Sequence, residues 1–266
     1  MPTVASPQRI CILLPVLNEA AHIGPLWTRI RDTLAPRDYV ICFVDDGSTD
    51  GTVEQLLELS QQHPSQVHVI HRRKMMRGCQ RGGALFTGLQ WALSLPDVEL
   101  IVEMDGDLSH RPEEMTQGLQ MVASGACDIA IASKYLPGSE VVNRPLSRRA
   151  VSYLCNHAVR LLLTREISDY SNGFRFYSRR AGLAVASAQI RYGSPIYLSE
   201  VLAIWLHDGF RVSEFKSIYV GRAEGLSKLR PLDLVKATIA IFEIAWRYHT
   251  GRFSVLRLPE HGAFKP

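Results

Sequence analysis

The segment VICFVDDGSTDGT, residues 40–52, decides the fold of this chain. It begins as a continuous apolar run, which is typical of a parallel strand buried on both faces. The run stops at two acidic residues, and a Gly-Ser-Thr turn follows in which Asp50 is placed to cap a helix. The next ten residues, VEQLLELSQQ, have helical periodicity. The segment therefore predicts a strand, a polar turn and a helix in succession.

The same unit recurs on both sides of this segment. Strand-like runs separated by helical stretches continue to residue 133, and they read ICILLPV, VHVIH, ELIVEM and DIAIAS. This alternation predicts an α/β fold with a mainly parallel, doubly wound sheet, in which ligands bind beyond the carboxyl ends of the strands. Beyond it, helices are predicted over 146–164, 197–207 and 231–248, and strands over 173–177 and 210–220. We expect a single domain over residues 1–266.

The composition is that of an ordinary globular protein, with 46% apolar and 21% charged residues among 266. These values exclude disordered, collagen-like and coiled-coil proteins. The five cysteines are scattered and form no CxxC pair, so we expect a reducing compartment and no structural zinc. No signal peptide and no apolar window of about 18 residues stands out, so we expect a cytoplasmic protein without a membrane span.

Positive charge is concentrated in the middle of the chain. Residues 59–96 contain five basic residues and no acid, and residues 134–180 contain nine basic residues against three acids. This distribution predicts an anionic ligand: a polyphosphate, a nucleic acid or an anionic membrane surface. We disfavour nucleic acid, because no aromatic residues are interleaved with the basic cluster and the nearby carboxylates would repel phosphates without a metal.

Acidic side chains follow three of the predicted strands. Glu19 follows the first strand, Asp45 and Asp46 follow the second, and Asp105 and Asp107 follow the fourth. In a parallel sheet these positions share one edge, where grouped carboxylates are costly unless a cation is bound. The Asp-Gly-Asp sequence is the best metal candidate, because two carboxylates can hold a hard divalent ion together with diphosphate oxygens. Such a pair is also common in turns, so the prediction of a metal site depends on the three acidic clusters together.

Three motifs resemble the family 2 glycosyltransferases of the GT-A fold. They are PVLNE at 15–19, VDDGSTDGT at 44–52 and MDGDLSHRPEE at 104–114. Two further features, SNGFRFY at 171–177 and Arg222 followed by GLSKL at 225–229, resemble the dolichol-phosphate or polyprenyl-phosphate mannosyltransferase branch. The resemblance implies a GT-A (Rossmann-like) fold that extends over about residues 10–236.

The resemblance implies roles for the donor-binding half, which would span about residues 10–133. Asp105 and Asp107 would hold Mg²⁺ or Mn²⁺ against the donor diphosphate, and with Arg222 they would be the catalytic residues. A loop carrying Arg222 and Lys228 is expected to be mobile and to close over the diphosphate. The residues implied in donor binding are Pro15, Leu17, Glu19, Val44, Asp46, Gly106, Lys134, Arg222 and Lys228.

The acceptor half would span about residues 134–230, and the resemblance places the acceptor phosphate at Arg148 and Ser152. These residues are four positions apart in one predicted helix, so they share a face. Arg144 stands where the branch usually has Trp, at the expected mouth of the acceptor site. Lys134 replaces the usual Arg and removes a bidentate phosphate contact. In the donor half, Leu17 replaces an aromatic residue and Gly106 an alanine.

The implied reaction is inverting transfer of a sugar from a nucleoside diphosphate to a polyprenyl or dolichyl phosphate, with GDP-mannose the favoured donor. UDP-glucose as donor and a hydroxyl group as acceptor remain alternatives. A hydroxyl acceptor needs a general base, and many relatives carry a Glu-Asp pair late in the domain. Here Glu200 is followed by Val201, so Glu200 is either the remainder of such a pair or a surface helix residue. A non-enzymatic anion-binding protein is a remote alternative.

The last predicted helix, within residues 231–250, is amphipathic. Its polar residues Asp233, Lys236, Glu243 and Arg247 fall within about 80° on a helical wheel, and nearly all the others are apolar. So wide an apolar face is either buried core or a contact with a membrane surface or a small membrane partner. A peripheral position at the cytoplasmic face of a membrane is therefore kept open.

Overall fold

The computed structural model describes residues 8–72, 81–221 and 231–253, with side chains of the last helix from residue 236 onward. The expected closing loop with Arg222 and Lys228 lies outside the described residues. The strands are β1 Arg9–Val16, β2 Tyr39–Asp45, β3 Val67–His71, β4 Val98–Glu103, β5 Ile129–Ser133, β6 Glu140–Val142, β7 Arg175–Ser178, β8 Val212–Lys216 and β9 Ile218–Val220. The helices are α1 Ala20–Leu34, α2 Thr52–Gln62, α3 Arg81–Ser94, α4 Met115–Ala123, α5 Leu146–Leu162, α6 Arg179–Ser187, α7 Tyr197–His207 and α8 Pro231–Thr250.

The central sheet has seven strands in the order β3-β2-β1-β4-β7-β5-β8. All neighbours in it are parallel except β7, which lies antiparallel between β4 and β5. This confirms the predicted α/β fold with a mainly parallel sheet. Since β1, β2 and β4 are parallel neighbours, the loops that follow them meet at one edge of the sheet.

Each face of the sheet packs against its own helices. Leu13 lies in a buried cluster with residues of α3, α6 and α7, whereas Ile12 and Leu14 lie in a second cluster with residues of α1 and α4. Because consecutive strand residues point to opposite faces, the unbroken apolar run of β1 fills both clusters. Cys11 and Cys42 are fully buried, and burial raises the pKa of the Cys42 thiol to about 12.

The single strand predicted over residues 210–220 is wrong, because the chain forms two strands there. β8 stays in the central sheet, and β9 leaves it to pair in parallel with β6 in a second, two-stranded sheet. The break is at Ser217, whose hydroxyl donates to Glu114 Oε2 at 2.5 Å. The Ile218 N–H donates to the other oxygen of the same carboxylate at 2.9 Å. Glu114 therefore fixes the point at which the strand changes sheets.

None of the described helices is long and apolar enough to cross a bilayer.

Candidate active site

A cleft of about 240 Å³ opens where β1, β2 and β4 end. It is lined by Pro15, Val16, Leu17, Glu19, Asp46, Arg81, Asp105 and Gly106. The sequence predicted most of these residues as donor ligands from three separate motifs, and the fold brings them together. Val44 differs, because its side chain is 1% exposed and packs in the core. The side chain of Val44 is thus not part of the cleft lining and supports β2 from the core.

The two adjacent acids after β2 have different surroundings. Asp45 is fully buried and accepts hydrogen bonds from the N–H groups of Gly47 and Ser48, at 3.0 and 3.1 Å. It thereby holds the turn, whereas Asp46 lines the cleft. Arg72 Nη1 donates to Asp46 Oδ1 at 2.6 Å. One carboxylate thus builds the loop and the next one is presented to a ligand.

The loop after β1 is held to the loop after β2. The Glu19 N–H donates to the Thr52 hydroxyl at 2.8 Å, and Asn18 Oδ1 accepts the Thr49 N–H at 2.8 Å. Asn18 adopts a φ of 57°, the left-handed conformation that asparagine tolerates better than most residues. These contacts hold Glu19 at the cleft with its side chain only 6% exposed.

The Asp-Gly-Asp loop is supported from behind by His110, which is buried. The Asp105 N–H donates to His110 Nδ1 at 3.2 Å, so the ring proton is on Nε2, which donates to Asn172 Oδ1 at 2.9 Å. Burial lowers the pKa of His110, in keeping with a neutral ring. The ring stacks on Phe174 with centroids 5.1 Å apart. His110 therefore fixes the backbone of the first aspartate.

Gly106 is required by a close approach of this loop to β1. A Cβ atom at this position would lie 2.6 Å from Val16 Cγ1 and 3.3 Å from the Pro15 carbonyl oxygen. An alanine here would require the Val16 side chain to shift, and its contact with the Pro15 carbonyl oxygen would be tighter than most Cβ contacts. Close packing against β1 thus favours glycine at position 106 over the alanine that is usual in the branch.

Arg81 was missed as a site residue by sequence reasoning. Its Nε donates to Asp105 Oδ1 at 2.6 Å, and its Nη2 lies 2.5 Å from the same oxygen. The side chain reaches this position because Gly173 has none, as a Cβ there would be 2.0 Å from Arg81 Nη2. Arg81 therefore orients the first aspartate of the cleft.

The carboxylates of Asp105 and Asp107 fit a hard divalent cation. Asp107 Oδ1 accepts the Ser109 N–H at 3.0 Å, both side chains are partly exposed, and Asp105 lines the cleft. The residues that the structure describes contain no group of three or more His, Cys, Asp or Glu side chains suited to a metal. A pair of carboxylates matches Mg²⁺ or Mn²⁺ sites in which substrate phosphates and water complete the coordination.

Lys134 lies behind the site and not in the cleft. Its Nζ donates to the Ser171 hydroxyl at 3.2 Å and lies 3.6 Å from Asp169 Oδ2, with only 5% of the side chain exposed. Burial lowers the pKa of Lys134, and the Asp169 carboxylate opposes this effect. The structure thus pairs Lys134 with a buried acid, and Lys134, which the sequence predicts as a donor-binding residue, is not among the residues that line the cleft.

Arg148 and Ser152 lie one turn apart on α5, as predicted. Both are partly exposed, and the Tyr135 hydroxyl donates to the Ser152 hydroxyl at 3.4 Å. Tyr135 follows directly after Lys134 at the end of β5. The N-terminal part of α5 therefore stands beside the carboxyl end of the sheet, near the cleft side of the molecule.

A family model described as "Glycosyl transferase family 2" matches residues 11–182. The chain belongs to this family. The glycosyltransferase is 32% identical to polyprenol monophosphomannose synthase of Mycolicibacterium smegmatis, over 91% of this chain and 88% of that protein. It is 31% identical to undecaprenyl-phosphate mannosyltransferase of Micrococcus luteus, over 84% and 88% of the two chains.

Solved structures share the GT-A-like fold of this glycosyltransferase. Glucosyl-3-phosphoglycerate synthase of Mycobacterium tuberculosis in complex with UDP superposes with a TM-score of 0.60 at 16% identity, covering 90% of this chain and 80% of that one. A mannosyltransferase of Pyrobaculum calidifontis in complex with GDP-Man and Mn²⁺ superposes with a TM-score of 0.59 at 18% identity, covering 91% and 64%.

Glu200 is neither of the two things that the sequence left open. In the glycosyltransferase its carboxylate is fully buried on α7, so it is not a surface residue. Arg247 Nη1 of α8 donates to Glu200 Oε1 at 2.5 Å, and the N–H groups of Arg191 and Tyr192 donate to the same carboxylate. Glu200 therefore joins α7 to α8 and is not available to remove a proton from an acceptor.

Proposed function

We propose that this glycosyltransferase is metal-dependent and inverting, and moves mannose from GDP-mannose to a polyprenyl or dolichyl phosphate. The observation that carries the proposal is the similarity to proteins named for polyprenol, undecaprenyl and dolichol phosphate mannosyl transfer. Each of them matches at least 84% of this chain, although the dolichol-phosphate enzyme of Pyrococcus furiosus is covered over only 60% of its length. The carboxylate-lined cleft and the basic start of α5 support the same reaction.

Different residues of the site would bind the nucleotide and the metal ion of the donor complex. Pro15, Leu17 and Glu19 would hold the nucleotide, and Asp105 and Asp107 would hold Mg²⁺ or Mn²⁺ beside its diphosphate. When bound, such an ion neutralises the charge that develops on the leaving diphosphate. His110 and Arg81 contribute by fixing the backbone and the side chain of Asp105.

A phosphate acceptor suits the arrangement because it needs no general base. The second ionisation of a phosphate monoester has a pKa of about 6, so the attacking oxygen is already anionic at neutral pH. Glu200 lies in the region where many relatives with hydroxyl acceptors carry the Glu-Asp pair. Its carboxylate is engaged by Arg247 and by two backbone N–H groups. Arg148 and Ser152 would bind the acceptor phosphate.

Transfer assays with matched acceptors test this proposal. Purified protein with Mn²⁺ is given GDP-mannose or UDP-glucose, each with undecaprenyl phosphate or undecaprenol. Mannosyl transfer to the phosphate is expected, with no product from the alcohol and none after chelation of the metal. Transfer to undecaprenol, or a preference for UDP-glucose, would refute the assignment.

Arg148→Ala is expected to raise the KM for the lipid phosphate by about tenfold to a hundredfold, since a charge-assisted hydrogen bond is worth roughly 1.5–3 kcal/mol. Donor affinity is expected to stay unchanged, because Arg148 lies on α5 and outside the residues that line the cleft. Steady-state kinetics and calorimetry with GDP and Mn²⁺ measure the two effects. An equal loss of GDP affinity would place Arg148 at the donor.

We also propose that an apolar face formed by α5 and α8 lies on the membrane that holds the acceptor. On α8, Ile239, Phe242 and Trp246 are 62%, 58% and 50% exposed, and their spacing places them on one side of the helix. Two residues of the predicted polar strip contact the rest of the protein: Glu243 accepts a hydrogen bond from the Tyr192 hydroxyl, and Arg247 is buried against Glu200. One side of α8 is therefore buried in the core, and the exposed apolar side would be the one that contacts the membrane.

α5 extends this apolar face. Its exposed large apolar residues are Leu146, Tyr153, Leu154 and Leu161. The two helices are joined near their ends, where His249 Nε2 and the Leu162 carbonyl oxygen are 2.7 Å apart. α5 contains three arginines and no acidic residue, which suits an anionic lipid surface. The same helix carries Arg148 and Ser152, so membrane contact would bring the acceptor phosphate to them.

Vesicle co-sedimentation tests the membrane proposal. Replacing Ile239, Phe242 and Trp246 together by serine is expected to weaken binding to phosphatidylglycerol-containing vesicles by about tenfold or more, since each side chain buries apolar area worth about 1 kcal/mol or more. Leu57→Ser, which changes an exposed leucine of α2, is the control and is expected to bind normally. Equal binding of the triple variant and the control would refute the membrane face.

A further inference from the structure

The second sheet holds Arg144 in a defined place. β6 pairs with β9, and the Gly221 N–H donates to the Val142 carbonyl oxygen at 2.8 Å. A Cβ at Gly221 would lie 2.6 Å from the Asn143 carbonyl oxygen and 3.1 Å from Arg144 Cβ. The backbone that carries Arg144 is therefore packed closely against the end of β9.

β9 in turn lies against the Asp-Gly-Asp loop. The Val220 N–H donates to the Ser109 carbonyl oxygen at 2.9 Å, and the Tyr219 ring meets His110 edge-on with centroids 5.7 Å apart. The Arg144 guanidinium carbon is 5.5 Å from the centroid of the same tyrosine ring, within the range of a cation–π contact. Arg144 is thus linked through Tyr219 to the loop that carries Asp105 and Asp107.

Arg144 forms no ion pair with an acid among the described residues, and the carboxylates nearest to its Tyr219 ring are those of the Asp-Gly-Asp loop. The two arginines at the cleft carboxylates each have an acidic partner, Arg72 with Asp46 and Arg81 with Asp105. For Arg144 the described residues provide a second cation instead, since Lys134 Nζ is 5.5 Å from the same Tyr219 ring centroid. Lys134 already has Asp169 as its partner. A half-buried guanidinium beside another cation is stabilised when an anion binds to it.

Arg144 lies on the acceptor side of the loop. It is not among the residues that line the donor cleft. Its charge reaches Tyr135, the tyrosine that donates to Ser152: burial raises the pKa of Tyr135, and Ser152 and Arg144 both oppose this effect. The geometry links them as well: Lys134 Nζ lies 5.4 Å from the Tyr135 ring centroid and 5.5 Å from the Tyr219 ring centroid, against which Arg144 packs. Arg144 also lies two residues before α5, the helix that carries Ser152.

We propose that Arg144 is a specificity-determining residue that binds the phosphate monoester of the acceptor, an inference that rests on the function proposed above. Its planar fork can contact two phosphate oxygens, which an ammonium group cannot do. Lys134 is engaged by Asp169, so Arg144, which lies against the same Tyr219 ring, supplies the bidentate contact. The pair of Arg144 and Arg148 then selects a phosphorylated acceptor over an alcohol.

Kinetics with a short, water-soluble acceptor test this role without interference from membrane binding. Wild type, Arg144→Gln and Arg144→Lys are compared with GDP-mannose, Mn²⁺ and geranyl phosphate, and geraniol serves as the uncharged acceptor. Arg144→Gln is expected to raise the KM for geranyl phosphate by about tenfold to a hundredfold, while kcat and the KM for GDP-mannose stay within about twofold. The KM of Arg144→Lys for geranyl phosphate is expected to lie between those of the wild type and Arg144→Gln, because lysine keeps the positive charge and loses the bidentate fork.

Arg180→Gln is the matched control, because it removes a 75% exposed arginine from α6. It is expected to behave as wild type. An unchanged KM for geranyl phosphate in Arg144→Gln, or an equal rise in the KM for GDP-mannose, would overturn the role of Arg144 and leave the proposed function standing. If the wild type itself transfers mannose to geraniol and not to geranyl phosphate, the proposed function fails, and the inference fails with it.

Discussion

Asp107→Ala is expected to reduce turnover by about a thousandfold or more, which corresponds to about 4 kcal/mol of lost transition-state stabilisation. The residue lies in the loop after β4 and is one of two carboxylates suited to a divalent ion. Removing it would leave a single acidic ligand, and the charge on the leaving diphosphate would lose its counter-ion. Turnover is measured with GDP-mannose and undecaprenyl phosphate over a range of Mn²⁺ concentrations.

The loss of activity is expected without a loss of stability. Asp107 is partly exposed, and its removal relieves repulsion with Asp105, so the melting temperature should equal or exceed that of the wild type. Calorimetry with GDP should show that Mn²⁺ no longer strengthens nucleotide binding. Asp32→Ala, which removes an exposed carboxylate from α1, is the control and should keep full activity. Normal turnover of the Asp107 variant in the presence of EDTA would contradict a metal site here.

Arg247→Met is expected to lower the free energy of unfolding by about 3–5 kcal/mol, the range found when one partner of a buried ion pair is removed. The side chains of Arg247 and Glu200 are only 1% and 0% exposed, and their closest atoms are 2.5 Å apart. Without the guanidinium, the Glu200 carboxylate would stay buried with only the Arg191 and Tyr192 N–H groups as partners. Urea unfolding, followed by circular dichroism, measures the change.

Two comparisons make this result specific to the buried pair. Arg29→Met breaks an exposed pair with Glu113, and the expected loss is below about 1 kcal/mol. Adding Glu200→Gln to Arg247→Met removes the isolated charge, so the double variant should regain part of the stability. A loss of less than about 1 kcal/mol for Arg247→Met would show that α8 is not held by this pair.

Sequence patterns were sufficient for the parallel strands of the sheet up to residue 133 and for most of the residues that line the cleft. Strand periodicity and the acidic residues after each strand are local features, and parallel strands bring their carboxyl ends to one edge. This is why Glu19, Asp46 and Asp105 could be placed together although 86 positions separate the first from the last. The sequence was also sufficient to place Arg148 and Ser152 on one face of a helix, because residues four positions apart in a helix are neighbours.

The same patterns could not distinguish residues that build the site from residues that face it. Asp45 and Asp46 are adjacent and chemically identical, yet one is buried in the turn and the other lines the cleft. Lys134 and Glu200 looked like ligand or base candidates, and both are buried against partners more than 30 positions away, Asp169 and Arg247. No local signal in the sequence specifies such partners.

By itself, then, the sequence determined the alternation of strands and helices up to residue 133, the acidic edge of the sheet and the family resemblance, since each depends on neighbouring residues or on a short motif. Only the tertiary structure decided that Arg81 reaches Asp105, that His110 holds its backbone, and that Arg144 stands over Tyr219. The physical reason is that these contacts depend on the space left by distant residues. Gly173 makes room for Arg81, and Gly221 allows β9 to pack against the backbone of Arg144.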